Sequence, residues 1–142
     1  MFVKQLTVFL ENRVGSLEEV MDILKDNEIN VFSISLADTS EYGLLRLIVS
    51  DPEKGKKVLM EDGVSAMITD VIAVRLENRV GTLSGLLHTV ANAGIGIEYM
   101  YAMAVSKTGA MILKTSDPGA TMAALKDDRY TILDEMTMYH LQ

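Results

Sequence analysis

The chain has 142 residues, a net charge of −7 and 49% hydrophobic side chains, with a mean hydropathy of +0.20. That composition supplies a core and excludes a disordered segment. The acidic balance opposes nucleic-acid binding, which draws on basic patches, and the absence of cysteine excludes disulfides and thiolate metal sites while fitting a reducing cytoplasm.

Residues 2–10 place Val3, Leu6, Val8 and Leu10 among polar neighbours and read as a strand. The N-terminus has no basic segment or long apolar run, so no signal peptide is expected. After the loop Asn12–Ser16, residues 16–27 carry Leu17, Val20, Met21 and Leu24 at helical spacing. Ser16 and Glu19 have the spacing of a capping box, with Asn12 as a rival cap. Ile29–Ala37 and Leu44–Val49 read as strands joined by a polar turn at Asp38–Gly43, hence a hairpin. Asp51-Pro52 signals a capped helix to about Glu61, and 64–69 a fourth strand. The basic run Lys54–Lys57 is offset by Glu53, Glu61 and Asp62 and reads as a solvated face.

Val71–Leu76 then continues with no Gly/Pro/Ser-rich spacer. A helix follows at 82–93, with Leu83, Leu86, Leu87 and Val90 on its buried side. Strands are expected at about 95–105 and 110–115, a helix at 118–127, and a last strand at 131–141. No apolar run approaches the ~20 residues of a membrane helix.

The second half repeats the first at an offset of 66 residues. Leu10-Glu11-Asn12-Arg13-Val14-Gly15-Ser16-Leu17 returns as Leu76-Glu77-Asn78-Arg79-Val80-Gly81-Thr82-Leu83, and Ser50-Asp51-Pro52 returns as Ser116-Asp117-Pro118. Two copies are too few for a solenoid. The expectation is α+β: two tandem ferredoxin-like β-α-β-β-α-β units, 1–70 and 71–142, packed together through their sheets. Units of ~70 residues are marginal alone, which favours such packing.

Catalytic patterns are sparse. His88 falls on the polar side of its helix and His140 lies near the C-terminus; their equivalents in the other copy are Asp22 and Val74. Gly94-Ile95-Gly96 enters a strand and lacks a third glycine, so it is a poor dinucleotide loop. No spacing suits a metal.

The repeated loop carries chemistry. Glycine permits close backbone approach, N–H groups at a helix start can hold a carboxylate, and asparagine offers a donor and an acceptor. That set suits an α-amino acid. A tight turn with a capped helix is the structural alternative.

Glu-Asn-Arg-x-Gly with a following Leu, inside duplicated β-α-β-β-α-β units, resembles the ACT domain family over the whole chain. The loop is similar to that of the serine-sensing ACT domain of D-3-phosphoglycerate dehydrogenase. The resemblance implies an amino-acid sensor with no cofactor and no catalysis of its own, acting on a metabolic enzyme. Ligand would sit between units, where the loop of one faces the second strand of the other. Carried over, the candidate ligand-binding residues are Asn12, Arg13, Val14, Gly15 and Ser16, with Asn78, Arg79, Val80, Gly81 and Thr82. The second-strand asparagine of that family falls on Asn30, opposite Gly96 in the other copy. The loop Asn78–Thr82 facing Asn30 would be the more complete site, whereas the loop Asn12–Ser16 would face Gly96 and Tyr99-Met100-Tyr101, which would accommodate a larger apolar or aromatic side chain. Val14 and Val80 replace the family's usual proline, and Leu10 and Leu76 stand where that relative has a histidine. Open sheet edges invite pairing, so a homodimer is expected, with no nucleic-acid or membrane partner in view of the charge and the short apolar runs. Two rivals stand: a ligand-free regulatory subunit acting by contact, similar to the small subunits of branched-chain amino-acid synthases, and a small enzyme using His88 or Glu98.

Overall fold

The computed structural model describes residues 1–38, 41–105 and 108–140. Part of the turn expected at Asp38–Gly43 lies outside them, as does the side chain of His140. The chain divides into two compact units, Lys4–Thr69 and Asp70–Gln142 together with Met1–Val3.

The first unit comprises β1 (Val3–Glu11), α1 (Ser16–Asp26), β2 (Val31–Asp38), β3 (Tyr42–Val49), α2 (Pro52–Glu61) and the opening of β4 (Ser65–Leu76). Its strand order is β2-β3-β1-β4. β1 pairs antiparallel with β3, Leu6 opposite Leu47 and Leu10 opposite Gly43. β2 pairs antiparallel with β3 and bulges between Val31 and Ser33. The helical spacing read from the sequence has its physical result here: α1 buries Val20 and Leu24, and these join Leu6, Val8, Leu47 and Leu59 in one core.

The second unit repeats this order with β4 in the place of β1. It continues through α3 (Thr82–Asn92), β5 (Ile97–Val105), β6 (Thr108–Thr115), α4 (Pro118–Asp127), β7 (Ile132–Leu133) and α5 (Glu135–His140). The strand order is β5-β6-β4-β7, and β5 bulges between Ile97 and Tyr99, 66 residues after the bulge in β2. Its core holds Ile72, Val74, Leu86, Val90, Ile95, Leu113 and Leu125. Each of these lies 66 residues after a member of the first core.

The Ser-Asp-Pro repeat is explained by two hydrogen-bonded devices. Asp51 and Asp117 cap α2 and α4 by accepting from Lys54 N–H and Ala120 N–H, both at 3.1 Å. Ser50 accepts Asn30 N–H on its Oγ at 2.9 Å and donates its own N–H to the Asn30 carbonyl, and Ser116 does the same for Gly96.

Two expectations are corrected. The strand expected over 131–141 is only Ile132–Leu133, followed by α5. Asp134 ends the strand because its Oδ1 accepts Thr137 N–H at 2.7 Å and its carbonyl accepts Met138 N–H, starting a helix that buries Met138. Leu83, expected on the buried side of α3, is 43% exposed. It sits in the first turn, before the stripe of Leu86 and Val90 reaches the core, and lines a cleft instead.

Candidate functional site: the twin strand-to-helix loops

Both loops turn on a left-handed glycine. Gly15 has φ 90° and Gly81 φ 89°, and each occupies the N-cap position of its helix. A side chain at either position would be strained by backbone conformation alone, since nothing lies within 4 Å of where a Cβ would stand.

The expected caps do not form. No side chain caps α1 or α3. Ser16 Oγ instead donates to the Glu11 carbonyl at 2.8 Å, and Thr82 Oγ1 donates to Glu77 and Arg79 carbonyls at 2.6 and 3.0 Å. Those bonds close the loop and leave the first helical turn uncapped. Glu19 is turned away by Arg13, whose two terminal nitrogens donate to its carboxylate at 3.1 and 2.7 Å while Nε donates to Glu11 at 2.9 Å. The Arg13 hydrogen bonds hold the Glu19 carboxyl below its ordinary range, and the Glu19 and Glu11 carboxylates raise Arg13 further.

Arg79 makes only the shorter half of this arrangement, pairing with Glu77 at 2.8 Å. Position 85, equivalent to Glu19, is glycine. Among the described residues, the exposed side chains of Asn12 and Asn78 meet no hydrogen-bond partner. Val14 and Val80 stand fully exposed at the loop tips.

Each loop borders a cleft with the hairpin of its own unit. In the first, Asn12, Gly15, Ser16 and Leu17 face Leu36 and Gly43 around about 480 Å³. In the second, Asn78, Thr82 and Leu83 face Met103, Gly109 and Met111 around about 550 Å³. Both volumes fall in the range of small-molecule sites. The walls are apolar and the polar groups gather at the loop, an arrangement that suits a ligand with one charged end.

Asn30 and Met100 line neither cleft. Asn30 precedes β2, whereas the first cleft uses the other end of that strand at Leu36 and Ala37, roughly 20 Å away at strand rise. Met100 is half-buried and packs against the second core. His88 is exposed, and Glu98 pairs with Lys114 at 3.3 Å. Among the described residues no group of three His, Cys, Asp or Glu side chains could hold a metal, and no helix is long and apolar enough to cross a membrane.

Sequence reasoning missed a second pair of clefts on these loops. One joins the first loop to Asp62–Ser65, with a volume of about 220 Å³, and the other joins Arg79–Thr82 to Arg129–Thr131, with about 540 Å³. The signal was present in Arg75, Gly85 and Arg129, which break the repeat at these three positions.

Fold and loops together define a tandem ferredoxin-like α+β protein built on duplicated strand-to-helix turns. The chain belongs to the ACT domain pair family, which matches residues 1–141. It is similar to protein BT0572 from Bacteroides thetaiotaomicron, with 34% identity and a TM-score of 0.92 over 99% of this chain and 98% of that one. The regulatory subunit of aspartate kinase from Thermus thermophilus shares the fold at 16% identity and TM-score 0.62, covering 89% of this chain and 92% of its own. The corresponding subunit from Thermus flavus does so at 20% and 0.59, covering 87% and 90%. No curated protein matches the chain in the sequence comparison.

Proposed function

We propose that this chain is an amino-acid-binding regulatory protein rather than an enzyme, with Asn12–Ser16 and Asn78–Thr82 as its ligand-binding loops. The observation that carries the reading is the pair of helix starts with no side-chain cap, each beside an asparagine without a partner and an apolar-walled cleft. The ligand carboxylate accepts from the N–H groups opening α1 or α3, where the helix dipole favours negative charge. The asparagine amide takes the ammonium through its oxygen. The ligand side chain lies on Leu17 and Leu36 in one cleft, or on Leu83 and Met103 in the other. Methionine adapts to irregular shapes, so the second cleft takes the larger amino acid.

Family membership and the fold shared with regulatory subunits of aspartate kinase support a regulatory role, exerted on a metabolic enzyme through a differential affinity for two states. Ile34 and Leu36 are about half exposed on the edge strand β2, which supports assembly with a second copy into a homodimer, and the absence of cysteine fits a cytoplasmic location. The same exposed residues favour the rival reading, contact with a partner enzyme and no ligand.

A thermal-shift screen of the twenty amino acids separates the two. A binder gains stability by mass action, about 2.7 kcal/mol at one hundred times Kd, whereas a contact-only module gains nothing. For the amino acid that shifts the transition, Asn12→Ala or Asn78→Ala is expected to weaken calorimetric affinity about tenfold, or about 1.4 kcal/mol. Unchanged affinity in both variants overturns the loop assignment, and a screen without any shift overturns ligand binding altogether.

A further inference from the structure

We propose that the second unit carries a site for a small polyanion, in the cleft between Arg79–Thr82 and the turn that leads from α4 to β7. Three of the chain's five arginines, Arg75, Arg79 and Arg129, line that cleft, and among the described residues Glu77 is the one acidic residue lining it. The volume of about 540 Å³ accommodates a metabolite-sized ligand.

The matching cleft of the first unit has the opposite character. Glu11, Glu19 and Asp62 line it with a single guanidinium, Arg13. Three substitutions account for most of the change. Phe9 corresponds to Arg75, Glu19 to Gly85 and Gly63 to Arg129. Every one adds positive charge or removes negative charge. A fourth, Glu18 to Ser84, completes the loss of acids from the first turn, so α3 has none there.

The arginines are poorly answered from within. Among the described residues the buried Arg75 Nε meets no hydrogen-bond partner, a costly condition for a cationic donor. Among the described residues no carboxylate pairs with Arg75 or Arg129. Glu77 already answers Arg79 at 2.8 Å, so two positive charges are left and the ligand is a dianion or higher. Guanidinium forks match carboxylate and phosphate oxygens in pairs. The shared chemistry is a compact molecule with two or more oxyanionic charges, whether a phosphoryl compound or a polycarboxylate.

Two further features fit. Gly85 leaves the space beneath the Tyr130 hydroxyl open, since a Cβ there would lie 3.4 Å from that oxygen. A glutamate at 85, as at 19, would bring its own carboxylate into the cleft. Arg129 holds φ 66° where Gly63 holds 83°, so a residue with a side chain is kept in a conformation that favours glycine. The chain as a whole is acidic, so its general field repels anions and any binding reports this local cluster.

The inference does not depend on the amino-acid reading. It is tested on the full chain by thermal shift and calorimetry with inorganic pyrophosphate and with citrate, against sodium chloride at matched ionic strength. A saturable rise in Tm above the chloride control is expected; a response to pyrophosphate alone selects phosphoryl ligands and one to citrate alone selects polycarboxylates. Arg129→Gly is expected to raise the Tm of the free protein, by relieving the backbone, and to weaken anion binding at least tenfold. Loss of binding in a more stable variant cannot be attributed to unfolding. Gly85→Glu is expected to abolish the response, whereas Lys57→Ala, which removes a charge from the first unit, preserves it. Arg129→Gly, at a residue that lines neither amino-acid cleft, keeps any amino-acid response, so the two readings fail separately. A shift that chloride reproduces, or wild-type affinity in Arg129→Gly, overturns the proposal.

Discussion

Gly15 and Gly81 show why one residue type recurs in both loops. Their left-handed conformation is required at the turn into the helix, and no neighbour crowds the missing Cβ. Gly15→Ala and Gly81→Ala should each destabilise by about 1–2 kcal/mol, readable as a lower denaturation midpoint at unchanged slope. Glu19 gives a residue-scale pH dependence. Its folded pKa is lowered by the Arg13 hydrogen bonds, so its contribution is present above the ordinary carboxylate range of about 4.3. That contribution disappears as pH falls through the lower folded value. The stability gap between wild type and Glu19→Gln should therefore be constant near neutrality and close below about pH 4. The Ser16–Glu19 capping box read from the sequence failed for the same reason: spacing shows which groups can reach each other, not that Arg13 holds the carboxylate by a two-point contact.

At the scale of elements, sequence was most informative where one side chain decides. Asp51-Pro52 and Asp117-Pro118 were legible because a cap followed by proline acts locally, and both helices begin there. Asp51→Ala and Asp117→Ala should each cost about 1 kcal/mol, measured by chemical denaturation, since the two caps have the same 3.1 Å geometry. The C-terminal segment was less legible. Ile132 and Leu133 supply strand-like character, but Asp134 and Glu135 are also helix-starting residues, and periodicity over so short a run cannot choose. Leu83 was misplaced by the same kind of argument, because helical spacing fixes a face without fixing where along the helix the core begins.

Across the whole molecule, the 66-residue offset made the fold legible, because the periodic apolar positions that mark a core must recur with it. All seven buried members of the second core coincide with members of the first. Leu47→Ala and Leu113→Ala, made at equivalent and fully buried positions, should each lose 2–5 kcal/mol. Thermal or urea unfolding of the two variants checks this. The loops as candidate sites were legible for the same reason, since repetition drew attention to them. The arginine cleft was not, because it arises where the copies differ and joins residues 75, 79 and 129 that only folding brings together.

The left-handed turns after the helices have a consequence for how the halves have drifted. Glu28 (φ 59°) corresponds to Gly94 (74°), and Gly63 (83°) corresponds to Arg129 (66°). Each half thus keeps the relaxed residue at one bend and a strained one at the other. Copying each glycine onto its counterpart, as Glu28→Gly and Arg129→Gly, would yield a hybrid with neither strain. Natural chains commonly retain such unused stability, and here the other half already contains the instruction for recovering it.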